Sequence, residues 1–81
     1  MKDKFGNDVN IGDWVYVYIA NGEFATRHCS YFGKVLHIDA YCTVDNRYKP
    51  KLGVDNDADE WYWHRIKKLT YEEVILLKLS N

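Results

Sequence analysis

The residues best suited to chemistry form an acidic segment in the second half of the chain. Asp55, Asp57 and Asp59 alternate there, and Glu60 follows. A calcium-binding EF-hand loop needs Gly at its sixth position and Glu at its twelfth. Glu60 and Ile66 occupy those positions here, so we expect no metal site. We interpret the segment as an acidic surface that steers a basic partner, with a merely solvated loop as the simpler alternative.

Histidine and cysteine are scattered rather than paired. Zinc sites usually hold two ligands separated by two to four residues, and a Cys–His nucleophile needs an orienting group and an anion site. Neither arrangement is visible, so we expect no metal, no cofactor and no catalytic activity. The two cysteines are expected to be reduced and partly buried. The residues considered are His28, Cys29, His37, Cys42 and His64.

Three consecutive aromatic residues follow the acidic segment. In a strand, Trp61 and Trp63 would lie on one face and Tyr62 on the other. Two interpretations stay open. Either the tryptophans line the core and Tyr62 is exposed, or the tryptophans form an exposed binding platform.

A basic segment offers an alternative binding chemistry. Its cations alternate with aromatic and apolar residues, a pattern suited to single-stranded nucleic acid. The neighbouring acidic segment would repel phosphate, so we keep nucleic acid as the second choice. The residues are Arg47, Tyr48, Lys49, Pro50, Lys51 and Leu52, with Arg65, Lys67 and Lys68 further along the chain.

The elements that would position these residues begin with two glycine turns, at Gly6 and Gly12. The following stretch alternates β-branched and aromatic residues, which predicts a strand with both faces covered. Further strands are predicted within residues 23–39, where Gly33 marks a bulge or bend, and over residues 41–44 and 61–66. The expected core residues are Val15, Val17, Val35, Ile38, Val44 and Ile66.

The remaining segments are a loop and a helix. Residues 46–60 are predicted to form a long loop, which is unusual in a small domain and often functional. Thr70 and Glu73 have the spacing of a capping box, which predicts a short helix over residues 70–80.

Composition limits the class of protein. The 81 residues suffice for one domain, here predicted to span 1–81. The net charge of −1 gives no general attraction to nucleic acid or to anionic membranes. No apolar run reaches the roughly 20 residues of a membrane span, and the N-terminus lacks an apolar signal region. We therefore expect a cytoplasmic protein.

The order of elements resembles an SH3-like small barrel of about five strands with a short C-terminal helix. The opening Asp3-x-x-Gly6-x-x-Val9-x-x-Gly12-Asp13-x-Val15 is similar to that of small phage-encoded SH3-like proteins, including YopX-type proteins. Gly33-Lys34-Val35 is similar to a segment of KOW-type barrels. The resemblance covers about a fifth of the chain. It implies a phage or mobile-element origin, and therefore the host cytoplasm as the location if the protein is phage-encoded, and it brings no catalytic residues.

The function expected from the sequence is non-catalytic protein binding by a small accessory protein, for example a phage inhibitor of a host enzyme or defence complex. A nucleic-acid-binding module is the alternative, and a nucleotide- or small-molecule-sequestering protein is the second alternative. The partner, a host or phage protein, and the oligomeric state are left open. The expected partner-binding residues are Tyr48, Asp55, Asp57, Asp59, Glu60, Trp61 and Trp63.

Overall fold

A computed structural model of the protein describes residues 1–19, 30–48 and 58–80. These residues form a mostly β structure with one C-terminal helix. A single turn of 3-10 helix, Trp63–Arg65, precedes the last strand. The strands are β1 (Trp14–Val17), β2 (Tyr31–Ile38), β3 (Cys42–Asp45), β4 (Ala58–Trp61) and β5 (Ile66–Lys68), and the helix is α1 (Tyr71–Ser80).

The five strands form one antiparallel sheet in the order β4-β3-β2-β1-β5. Strand β2 is shared between two halves of this sheet. Residues 31–34 pair with β1, whereas Val35, His37 and Ile38 pair with β3. The register shifts between Val35 and His37, so the bulge lies at Leu36 and not at Gly33. In the described part of the chain, β4 and β5 are the two edges, and the sheet is not closed.

Gly33 has a different role from the predicted bulge. A Cβ built on it would fall onto the carbonyl oxygen of Asp45 and lie 3.0 Å from Cγ1 of Val44. Only glycine fits at this position, because the backbone of β3 passes directly over it.

One face of the sheet carries an aliphatic core, which we call the first core. Five of the six predicted core residues are fully buried, and Ile38 is half-buried against them. The alternation of β1 is confirmed, since Val15, Val17 and Ile19 all point into this core. The buried members are Val9, Val15, Val17, Ile19, Tyr31, Val35, Cys42, Val44, Trp61 and Ile66.

The opposite face of the sheet is partly covered by α1. Phe32, Leu69 and Val74 are buried there, and we call this group the helix-side cluster. Trp14, Tyr16, Tyr48 and Leu77 pack around it and stay partly exposed. The helix begins as the sequence predicts, because the capping box forms. Glu73 N donates to Thr70 Oγ1 (3.2 Å), and Thr70 N donates to Glu73 Oε1 (3.0 Å).

The N-terminal loop is held by the buried carboxylate of Asp3. Its Oδ1 accepts from the amides of Phe5 and Asn7 (2.9 and 2.8 Å), and its Oδ2 accepts from the amide of Lys68 in β5 (2.8 Å). Both predicted glycine turns form, with Gly6 at φ 84° and Gly12 at φ 92°. Burial raises the pKa of Asp3, but these amide hydrogen bonds outweigh it and hold the pKa below its usual value.

Two predicted boundaries differ from the structure. The single strand expected over 61–66 is wrong, since Trp61 ends β4, the 3-10 turn follows, and Ile66 begins β5. Residues 58–60, assigned to the loop by sequence, belong to β4. Residues 49–57 of the predicted loop lie outside the described residues. The helix occupies Tyr71–Ser80.

Candidate protein-binding surface

The partner-binding residues expected from the sequence do not lie together on one surface of the described structure. Asp55 and Asp57 lie outside the described residues. Tyr48 stacks on Phe32 (ring centroids 4.6 Å apart) in the helix-side cluster. Trp61 is buried in the first core, where its Nε1 donates to Tyr31 Oη (2.6 Å). The side chain of Trp61 is therefore too buried to contact a partner.

Asp59 faces into the molecule. Its Oδ2 accepts hydrogen bonds from Tyr31 Oη (3.3 Å) and Asn46 Nδ2 (3.4 Å). Tyr31 and Asn46 are both buried, and burial raises the pKa of Tyr31 well above its usual value. The Asp59 carboxylate thus satisfies buried polar groups, and this internal role competes with a role in partner binding.

Glu60 is exposed and lies among aromatic side chains. Cys42 pairs with Trp61 and Thr43 with Glu60, so alternation sends Tyr41, Glu60 and Tyr62 to the outer side of the sheet. Tyr62 is 56% exposed. It meets Tyr41 edge-on (5.2 Å) and stacks on His64 (5.6 Å, interplanar angle 15°). We call Tyr41, Glu60, Tyr62 and His64 the acidic aromatic surface.

The acidic aromatic surface is held in place by the connection between β2 and β3. Trp63 is half-buried against the first core, and its Nε1 donates to the carbonyl oxygen of Asp39 (3.2 Å). Asp39 Oδ1 accepts from the amide of Tyr41 (2.9 Å). A cavity of about 260 Å³ opens between Tyr41, Glu60 and Tyr62. Trp63 is therefore a support for this surface, and Tyr62 is its exposed aromatic residue.

Sequence reasoning missed Tyr41 and left Tyr62 undecided. The available signal was the alternation of strand residues, which places Tyr62 opposite Trp61 once Trp61 is assigned to the core. The pairing of β3 with β4 brings Tyr41 to Tyr62, and that register cannot be read from a single sequence.

A second surface lies along α1. A groove of about 390 Å³, which we call the helix groove, runs between α1 and the part of the sheet where β1 pairs with β5. Its apolar lining comes from Tyr16, Tyr18, Leu69, Leu76 and Leu77. Its polar groups, Lys67 and Glu73, form an ion pair with each other (3.0 Å).

The described basic residues of the nucleic-acid alternative are mostly paired with carboxylates. Arg47 lies 3.4 Å from Asp45, Lys67 lies 3.0 Å from Glu73, and Lys68 lies 3.5 Å from Asp13. These pairs reduce the positive potential available to phosphate. Lys49 and Lys51 lie outside the described residues.

The scattered cysteines and histidines are not brought together in the described ranges. Cys42 is enclosed by the first core, and burial raises the pKa of its thiol to about 12. Such a thiol stays protonated at neutral pH and is a poor nucleophile. Within residues 1–19, 30–48 and 58–80, no three or more His, Cys, Asp or Glu side chains form a group suited to a metal ion.

Comparisons with protein-family models, curated proteins and solved structures found no significant match. The geometry of this chain alone therefore carries the functional argument. No helix in the described part of the chain has the length and apolar character needed to cross a membrane.

Proposed function

We propose that this protein is a non-catalytic binding protein that contacts a protein partner through the acidic aromatic surface. The observation that carries the proposal is the ordered exposure of Tyr62, which is fixed on two sides by Tyr41 and His64. An aromatic side chain already held in one conformation loses little entropy on binding, so it serves well as an anchor.

The partner surface that fits best is basic. Glu60 is exposed beside Tyr41 and Tyr62, and the carboxylate of Asp39 lies at the same end of the sheet. Carboxylates at the rim of an interface mainly set orientation and association rate, whereas the aromatic residues supply affinity. A partner with Lys or Arg around an apolar pocket would satisfy both.

We also propose that the sheet is an opened form of an SH3-like barrel. Its strand order supports this, as does the sharing of β2 between β1 and β3 across a bulge. The target class, a host enzyme or defence complex blocked by a phage protein, rests only on the resemblance of the residue 3–15 opening.

A pull-down from host lysate, with and without nuclease, tests the protein-binding function. We expect a protein to be captured equally well after nuclease treatment. Tyr62→Ala should weaken capture at least tenfold, whereas Phe5→Ala should not, although Phe5 is similarly exposed at 61%. Loss of capture after nuclease treatment would instead support the nucleic-acid alternative.

Association kinetics then test the role of charge. Glu60→Lys should slow association several-fold and reduce its dependence on salt, with little change in dissociation. Asp8→Lys is the matched control, because Asp8 is exposed on the N-terminal loop. Asp59 is unsuitable for charge reversal since it holds the buried Tyr31 and Asn46. Equal association rates for both variants would place the surface elsewhere.

A further inference from the structure

Helix α1 is apolar on the side that faces away from the sheet. Tyr71, Ile75 and Leu79 form a row at four-residue spacing, and they are 80%, 40% and 78% exposed. Leu76, in the adjacent row, is 65% exposed. The opposite side of the helix already packs through Val74 and Leu77 against the helix-side cluster. Apolar side chains therefore lie on the outer side of the helix, where Glu72 also lies, as well as on its sheet-facing side, and an exposed apolar area of this size is normally covered.

The exposed row has the size of an interface centre. Four large apolar side chains at these exposures present on the order of 400 Å². That is as large as the largest apolar patch of a typical monomer, and about half of the roughly 800 Å² that each partner contributes to a standard interface. Polar side chains around the row, Glu72 and Lys78 among them, would supply much of the remaining area.

We propose that the outer face of α1 binds the same face of α1 in a second copy of this chain, giving a two-fold symmetric dimer. Most soluble oligomers are symmetric pairs of this kind, in which one patch contacts itself. The row formed by Tyr71, Ile75 and Leu79 is a four-residue ridge. In the second copy, the same row and the Glu72–Leu76–Ser80 row border a groove that receives this ridge. The axes of the two helices then cross at about −50°.

The helix groove supports a second copy over an unrelated partner. A two-fold axis that pairs antiparallel helices brings the same flank of each helix together. The flank that carries Leu76 borders the helix groove, so Leu76 of each copy approaches the groove of the other. Both grooves are then covered in one contact.

Electrostatics permits this contact. The Lys67–Glu73 ion pair is complete within one chain, so the two charged groups of the helix groove enter the interface already paired with each other. Glu72, which is exposed in the Leu76 row, stays at the hydrated rim of the proposed contact. The net charge of −1 gives little repulsion between two copies.

Sedimentation equilibrium of the purified protein tests the dimer. We expect the wild type to have twice the mass of one chain at micromolar concentration. Leu76→Glu and Leu79→Glu should each raise the dissociation constant at least a hundredfold with an unchanged circular dichroism spectrum, because both side chains are exposed in the single chain. Leu36→Glu, which alters an exposed leucine in β2, should remain a dimer.

Cross-linking tests the symmetry independently. Ile75 lies at the middle of the row, next to the two-fold axis, so Ile75→Cys should form a disulfide with itself under mild oxidation. The wild type, which keeps its own cysteines, and a Leu36→Cys variant should not cross-link. Two results would overturn the proposal. One is a wild type that stays monomeric at about 200 μM, a concentration well above a micromolar dissociation constant. The other is an Ile75→Cys variant that cross-links no faster than the wild type. Binding of the α1 face to a different protein by a monomeric wild type would overturn it equally.

Discussion

The two faces of the sheet differ in how completely they are covered. The first core is mainly aliphatic and almost fully enclosed, with Val15, Val17 and Val44 at zero exposure. The helix-side cluster is surrounded mainly by aromatic side chains, and these residues, Trp14, Tyr16 and Tyr48, stay partly exposed. A ten-residue helix is too short to cover that face. The comparison separates a face that holds the fold together from a face whose outer layer is available for contacts.

The difference has a physical origin in the side chains of β1. Valine at alternate positions gives a flat, dense layer that a small domain can enclose completely. The aromatic residues between them are too large for an 81-residue chain to bury on both faces at once. Substitutions on the two faces should therefore have unequal costs.

The largest expected effect comes from a charge in the first core. Val17→Asp would bury an unpaired carboxylate, which costs more than a small domain's stability can absorb. We expect an unfolded chain at 25 °C by circular dichroism. Leu36→Asp is the control, because Leu36 is half-exposed, and it should keep a cooperative melting transition. A folded Val17→Asp variant would contradict the assignment of this face as the enclosed one.

Gly33→Ala should have the next largest effect. The new methyl group would collide with the backbone of Asp45, which cannot turn aside as a side chain can. We expect a destabilisation of about 3 kcal/mol or more in urea unfolding. Gly6→Ala, at a position with open space but a positive φ, should cost only about 1 kcal/mol. Equal costs would show that the backbone of β3 can move away from β2.

Asp3→Asn tests the loop that joins the N-terminus to β5. At pH 7 the variant should lose about 1–3 kcal/mol of stability, because the amide group replaces a buried carboxylate that accepts from three backbone amides. The folded pKa of Asp3 is lowered, so its contribution is present above the unfolded pKa of about 3.9 and is lost as pH falls through the folded value.

The difference between Asp3→Asn and wild type should therefore shrink below pH 4, as measured by urea unfolding at several pH values. Asp8→Asn, at an exposed residue, is the control and should change stability little at pH 7. A difference that stays constant down to pH 2 would show that the charge on Asp3 does not stabilise the loop.

The smallest expected effect is the difference between two matched substitutions, and it tests the comparison most directly. Val17→Ala and Val74→Ala remove the same two methyl groups from the two faces. We expect Val17→Ala to lower the free energy of unfolding by about 2–3 kcal/mol and Val74→Ala by about 1 kcal/mol. The second loss is smaller because α1 can move into the space left by the methyl groups of Val74. Urea unfolding of the two variants measures both values. Equal losses would show that α1 is as firmly packed as the first core.

The sequence predicts much of this fold because its local signals are strong. Turn glycines with positive φ, the alternation of β1 and the capping box of Thr70 and Glu73 all act within a few residues. The division of residues 61–66 into a strand end, a 3-10 turn and β5 was missed, because it depends on pairing with β1 and β3. Short range patterns do not contain that information.

The candidate site was less predictable than the fold for the same reason. Glu60 was identified as an exposed acidic residue, whereas the inward direction of Asp59 depends on Tyr31 and Asn46, which are distant in sequence. Tyr41 reaches Tyr62 only through the register of β3 and β4. The apolar residues of α1 are visible in the sequence, but which of them are buried depends on where the helix docks.

The hydrogen bond from Lys68 to Asp3 also affects how the chain folds during synthesis. It joins residues 65 positions apart in the sequence. The pairing of β1 with β5 also joins residues that are far apart in the sequence. Such long-range contacts close slowly, and none of them can form on the ribosome until residue 68 has left the exit tunnel. Until then the valines of β1 have only part of their partners. A nascent chain stalled before residue 66 should therefore remain sensitive to protease, and one extended past α1 should become resistant in a single step.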